Sequence, residues 1–238
     1  MYEERFYRYY CSKKEYNLDI SYKESDLYIV SDKPLEKNFT LKILVKYYNQ
    51  IKDYIKKNPH FLTSLSPLPI DEQALPIVKD MLLAGKISAV GPFASVAGAI
   101  AFYVGKELLN YCNQIIIENG GDVFLKIDTD IIMGVYLGDN FNPKNLTIKV
   151  SKRNSPFGIC SSSAKIGHSL NFGCVDLLTV ISKDVIVADA LATAYSNEIK
   201  KEKDVKNILN QARQNPYVDG IIVAFRGKLF LWGDIELT

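Results

Sequence analysis

Cysteine and histidine are scarce in this sequence, neither sign of charge is in clear excess, and only one long run lacks charge altogether. The four cysteines, Cys11, Cys112, Cys160 and Cys174, lie far apart with no CxxC pair. That spacing matches neither a disulfide framework nor a zinc or iron–sulfur site, so a reducing, cytoplasmic setting is expected. Lysine and arginine total 29 against 27 aspartates and glutamates. Such balance gives no support for a broad nucleic-acid surface. The local basic run at 200–206 is interleaved with acids and reads as a solvated helix end. The first residues lack the apolar stretch of an export signal. The uncharged run is Ile87 to Gly105, flanked by Lys86 and Lys106. Its length is just enough to span a bilayer. Pro92 near its start and its wealth of Ala, Gly and Ser favour a buried helix beginning near that proline, and no membrane association is expected.

What is present is an ordinary globular composition, 47% apolar and 24% charged over 238 residues, enough to bury a sizeable core. No repeat or linker divides the chain, so residues 1–238 are expected to form one unit, as one domain or two closely packed lobes. FYRYY, YNLDISYK and DLYIVS read as a strand meander. Helical spacing covers Leu41 to Lys57, then 71–85 with Asp71 as its cap and Gly85 as its stop, and about Phe93 to Tyr111. Strands follow at 114–119, 122–128, 131–137 and 146–150. Residues 155–173 read as a long polar loop. A strand at 175–182, helices at 188–200 and 204–215, and two closing strands complete the chain. Strict strand–helix alternation is missing, so α+β is the expected class. The tyrosine-rich first strands suit a homodimer in which they cover a partner's edge.

The chemistry concentrates in the stretch from Ala188 to Glu198. Asp189, Thr193 and Ser196 stand at i, i+4 and i+7, so one helix face carries a carboxylate and two hydroxyls. Either Asp189 caps its helix and Thr193 bonds back to the backbone, or the pair supplies hard oxygen ligands to a magnesium ion. Gly120 and Gly121 form a turn between two strands; they either only supply positive φ or also let a ligand approach the backbone. Asp122, directly after them, reads first as a turn acceptor and second as a residue supporting the ligand site from behind. Cys160 leads into Ser161, Ser162 and Ser163, then Lys165. This is either a polar loop after a buried cysteine or an anion-binding turn with a reactive thiol. His168 lies in the same stretch, and a structural role for it is weighed equally with a ligand role.

Three segments in order carry a family resemblance: Val90-GPFASVAG-Ala99, the Asn119-Gly-Gly-Asp122 turn, and Ala188-DALAT-Ala194. Together they resemble the UPF0280 branch of the ApbE superfamily, whose characterised members are magnesium-dependent FAD:protein FMN transferases. The resemblance implies an ApbE-like, T-fold-related architecture of mixed or antiparallel sheets with packed helices. It also implies Mg2+ held by Asp189, Thr193 and a backbone carbonyl near Ala97, with FAD or FMN nearby. Beside that resemblance, the residues themselves offer Gly120, Gly121 and Ser161 to Ser163 as cofactor-binding candidates and Cys160 and His168 as catalytic ones. Two departures stand out. Ala97 precedes Gly98 where transferases carry a lysine, and His168-SLNF-Gly173 replaces the family's His segment and Asp-Pro-x-Thr-Gly. The implied functions are therefore three. One is an enzyme or enzyme component binding a small phosphate- or carboxylate-bearing ligand, with flavin transfer as its best-defined form. Another is a sulfur-assimilation role in homocysteine formation from aspartate semialdehyde, with a redox or sulfur-transfer partner protein. The third is a non-catalytic ligand-binding protein.

Overall fold

The computed structural model describes residues 16–138, 140–164 and 172–238. The expected strand FYRYY, and with it Cys11, Lys165 and His168, lies outside the described residues. The chain opens with β1 (Tyr16–Tyr22) and β2 (Ser25–Ser31), paired antiparallel around a turn in which Lys23 takes φ 55°. The first helix, α1 (Lys37–Lys57), starts earlier than its apolar periodicity because Glu36 caps it. The Glu36 carboxylate accepts from the Asn38 and Phe39 N–H groups, two donors that would otherwise be orphaned. A short α2 (His60–Thr63) follows.

The next helix, α3 (Pro76–Ser88), departs from expectation at both ends. Asp71 does not cap it; that carboxylate accepts the Tyr54 hydroxyl at 3.0 Å. Pro76 is the first helical residue, where its missing N–H costs nothing and its fixed φ suits the helix. Gly85 does not stop it either, because Ala89 ends the helix in a left-handed conformation at φ 56°. A 3-10 turn (Pro92–Ser95) then leads into α4 (Val96–Leu108). The uncharged run is thus split between two helical segments bent by 107°. Among the described residues no single helix is long and apolar enough to cross a membrane.

Beyond α4 come β3 (Ile115–Asn119), β4 (Asp122–Lys126), β5 (Ile131–Tyr136), β6 (Asn145–Val150), β7 (Phe157–Ser162) and β8 (Leu177–Ser182). The helices α5 (Val185–Glu198) and α6 (Glu202–Gln214) precede β9 (Gly220–Phe225), β10 (Lys228–Gly233) and β11 (Glu236–Leu237). Strand β7 corrects the reading of 155–173 as loop: its residues are almost all buried, so it needs apolar and small side chains rather than alternation. Eight strands form one sheet in the order β1-β2-β3-β4-β7-β8-β9-β10, and every pairing in it is antiparallel. The chain is therefore α+β. Strands β5 and β6 leave the large sheet and join β11 in a three-stranded sheet.

Each face of the large sheet has its own apolar cluster. One contains Phe124, Val180, Val223 and the helix residues Leu82, Val104, Val187 and Leu191. The other contains Leu125, Ile159, Ile181 and Ile222 with Val135 and Ile148 of the small sheet. On the helix side α4 and α5 lie against each other, α4 over β3 and β4 and α5 over β7 and β8. Two glycines set these distances. A Cβ on Gly105 would meet the Phe124 ring at 2.4 Å, and one on Gly158 would meet Val185 Cα at 2.8 Å.

Candidate functional site

The start of α4 has no capping side chain of its own; Ser95 at the cap position makes no such bond. Its donors are met instead from α5. Asp189 Oδ2 accepts the Gly98 N–H at 2.8 Å, and the Ala97 N–H also acts on that carboxyl. Asp189 is therefore a cap, but for the neighbouring helix. The cap of its own helix is Asp184, whose Oδ1 accepts from Ile186 and Val187 at 3.0 and 3.1 Å. An aspartate immediately before Val-Ile-Val was the sequence signal for that start. Gly98 makes the arrangement possible, since a Cβ there would lie 2.8 Å from Asp189 Cβ and 3.0 Å from the Val185 carbonyl oxygen.

Below the two helices runs a row of side chains on the sheet. Gly120 and Gly121, at φ 69° and 99°, make the two-residue turn from β3 to β4, a conformation that favours glycine. This turn pairs Asn119 with Asp122, and β4–β7 pairing sets Asp122 opposite Cys160. Directly paired residues share a sheet face. On that face Asn119 Nδ2 donates to the Ala97 carbonyl at 3.1 Å, and the Cys160 thiol donates to the Val185 carbonyl at 3.5 Å. Asp122 stands between them, beneath the contact of α4 with α5.

Asp122 is not the turn acceptor expected of it. Glu118 Oε1 takes that role, accepting the Gly121 N–H at 2.8 Å. Asp122 Oδ1 is buried with no hydrogen-bond partner among the described residues. Burial pushes the Asp189 carboxyl up to about 7, with the Gly98 and Ala97 N–H groups pulling the other way. Burial raises Asp122 well above the usual carboxylate range, and the charges of Asp189 and Glu118 add to it. The Cys160 thiol is raised by burial first and then by Asp122 and Asp189.

The remaining expected residues separate into groups. Thr193, one turn beyond Asp189 on α5, is half-buried, while Ser196 is fully buried. The Ala97 side chain takes no part in these bonds; its backbone serves both Asp189 and Asn119. The setting assigned to Cys160 is corrected: it is a fully buried strand residue, not a loop residue. Its raised thiol is the reverse of what a nucleophile or sulfide carrier requires. Ser161 lies on the opposite sheet face from Cys160, with its hydroxyl 2.8 Å from that of Thr179 and its N–H donating to the Gly121 carbonyl. The Ser163 hydroxyl donates to the Asp176 carbonyl at 2.6 Å. The three serines are thus not convergent on Asp189. A surface groove of about 480 Å3 between α1 and residues 71–78 includes none of these groups.

Among the described residues no three His, Cys, Asp or Glu side chains converge as a complete metal site. An ion beside Asp189 would have to draw on hydroxyl, carbonyl, water or ligand oxygens as well. The donor set suits a hard cation. The buried, unpartnered Asp122 oxygen nearby adds an oxygen of the right chemistry.

The family model described as AbpE bacteria matches residues 8–215. A UPF0280 protein of Methanocaldococcus jannaschii is 40% identical over 198 residues, covering 81% of this chain and 80% of that one. A second, from Methanococcus aeolicus, is 36% identical over 218 residues, with 88% of each chain covered. Among solved structures, the flavin transferase ApbE from Vibrio cholerae shares a TM-score of 0.61 at 12% identity, covering 92% of this chain and 96% of that one. The ApbE protein from Thermotoga maritima gives 0.59 at 13%, covering 94% and 97%. At those identities the likeness is one of fold. Family model and relatives agree, and the chain belongs to the UPF0280 branch of the ApbE-like family.

Proposed function

We propose that this protein binds FAD through a divalent cation held beside Asp189 and Thr193. The observation that carries this reading is the placement of Asp189. A carboxylate is kept in the core, bonded across to the first turn of another helix, at a point where the missing side chain of Gly98 leaves room for it. Burying a carboxyl is costly, and capping alone is achieved more cheaply by a serine at the α4 cap position, which Ser95 already occupies without such a bond. Thr193 offers a hydroxyl from the same helix one turn on. The Gly120–Gly121 turn directly follows Asn119, which bonds the Ala97 carbonyl at the start of α4, and offers bare backbone of the kind that a phosphate approaches closely.

Flavin transfer is the reaction that completes this reading. A hydroxyl oxygen of an acceptor protein would attack the FMN phosphorus, the P–O–P bond would break, and AMP would leave with the electron pair. The hydroxyl proton would pass to solvent. A magnesium ion held by Asp189 and Thr193 would supply neutralisation of the pyrophosphate charge. In this chain Asp189 supplies charge and Thr193 an oxygen dipole, so both orient oxygen ligands rather than move protons. Calorimetry with FAD and magnesium, followed by assay for AMP release and covalent FMN on a flavodoxin-like or membrane acceptor, tests the proposal. Magnesium-dependent FAD binding that is lost in Asp189→Asn supports it. Absence of FAD binding together with absence of AMP release removes it.

A further inference from the structure

We propose that Asp122 is a second carboxylate ligand of a divalent cation shared with Asp189, an inference that rests on cation binding at Asp189. Three observations locate it. Asn119, paired with Asp122 across the turn, bonds the Ala97 carbonyl at the start of α4. Cys160, paired with Asp122 on its other side, bonds the Val185 carbonyl at the start of α5. Gly98 is in contact range of both Val185 and Asp189, so the same point on the helix layer lies above Asp122 from both directions.

The second line of argument is chemical. Asp122 is 5% exposed, and Oδ1 has no hydrogen-bond partner among the described residues. The Ser161 N–H and the Cys160 thiol act on the same carboxyl, yet an oxygen remains over. A buried acceptor without a donor is destabilising, and a fold retains one where something else completes it. A hard divalent ion does so for two neighbouring carboxylates at once and relieves their mutual repulsion. Thr193 shares the Asp189 face of α5 by its i,i+4 spacing, so two charges come from protein and the remaining positions are left to neutral oxygens and the bound ligand. The assignment also gives the aspartate of the Asn-Gly-Gly-Asp turn a role separate from turn formation, which Glu118 already performs.

The experiment uses Mn2+ as the probe, titrated into the full chain and followed by electron paramagnetic resonance, with and without FAD. Wild type should bind the ion, and Asp122→Asn should weaken it roughly tenfold or more, as Asp189→Asn does. Asparagine keeps the shape of the side chain, and circular dichroism melting checks that each variant is folded. Asp122→Ser provides a second uncharged variant should asparagine fail to fold. Wild-type Mn2+ affinity in either folded Asp122 variant, with loss in Asp189→Asn, overturns the inference and leaves the flavin reading standing. Loss of Mn2+ in both Asp122 and Asp189 variants with no FAD bound at all keeps Asp122 as a ligand and removes the flavin reading. Wild type that takes up no Mn2+ in either condition overturns both.

Discussion

Two aspartates near the C-terminal end of the chain make nearly the same bonds and behave oppositely. Asp204 Oδ2 accepts from the consecutive N–H groups of Lys200 and Lys201, both at 3.0 Å, at the start of its own helix α6. Asp189 accepts from the consecutive N–H groups of Ala97 and Gly98 at the start of α4. At Asp204 burial works against ionisation, but the two N–H groups and the nearby Lys201 and Lys203 prevail and hold the carboxyl below 3.8. At Asp189 burial prevails over the same kind of bonds and takes the carboxyl up to about 7. Hydrogen bonding to a carboxylate is thus no guide to its charge; the surrounding medium decides. The helices themselves show the contrast. Only Val205, Ile208 and Ala212 are buried on α6, whereas α5 buries eleven of its residues, among them Asp189.

The comparison is broken most directly by pH. A folded carboxyl near 7 that titrates at 3.8 when unfolded holds a proton the unfolded chain has already lost. The share of stability that depends on Asp189 should therefore fall as pH rises from about 4 to about 7, by an amount on the order of a few kcal/mol, and the likewise raised Asp122 adds a fall of its own. Urea unfolding across this range checks it, with Asp189→Asn expected to flatten the slope. An unchanged slope in that variant would falsify the assignment. Next in size is Gly98→Ala. The new methyl pushes into Asp189 Cβ and the Val185 carbonyl, and overpacking of this kind costs about 1–3 kcal/mol. A Tm equal to wild type would show that α4 and α5 part without cost.

Thr193→Val sharpens the distinction between charge and dipole. FAD affinity in magnesium should drop by less than tenfold, against more than tenfold for Asp189→Asn, while the Tm stays near wild type. Equal losses measured by calorimetry would assign Thr193 more than an oxygen contact. Asp204→Ala should have the smallest effect. Its carboxyl is lowered by folding, so the stability it contributes is present above pH 3.8 and disappears as pH falls through the folded value. A thermal-melt difference that persisted at pH 2 would place its contribution in something other than charge.

Much of the architecture was legible in the sequence because it rests on periodicity and turn chemistry. The Gly120–Gly121 turn, the pairing of β9 with β10 around Arg226 and Gly227, and the end of α1 before Asn58 and Pro59 are local facts. Strand β7 was hidden for a physical reason. Gly158, Cys160 and Ser162, on the face that alternation turns toward α5, are small because α5 packs almost onto the backbone at Gly158, so the expected run of branched side chains is missing. Asp71 and Pro76 misled together: a good capping residue was spent on the Tyr54 hydroxyl, and a helix breaker proved to be a helix starter.

At the site, helical spacing singled out Asp189 and Thr193, and the order of three motifs tied them to the glycine turn. The meeting of Asp189 with Gly98 spans 91 positions and leaves no periodic trace, so only the resemblance, which set Asp189 beside a carbonyl near Ala97, brought the two segments together. Asp122 was misjudged because proximity to two glycines looked sufficient to explain it, whereas cross-strand pairing with Cys160 is what buries it. The serines after Cys160 looked like one anion-binding turn, yet alternation along β7 sends Ser161 to the other face.

The dependence of α4 on a residue 91 positions later has a consequence for synthesis. As the chain leaves the ribosome, α4 emerges with the N–H groups of Ala97 and Gly98 bonded only to water, and the carboxylate that completes them is not yet made. A nascent chain stalled before residue 189 should leave the amides of Ala97 and Gly98 open to hydrogen exchange, and release of the remaining chain should close them. Translation order thereby makes the α4–α5 junction a late event, whatever the two helices can do separately.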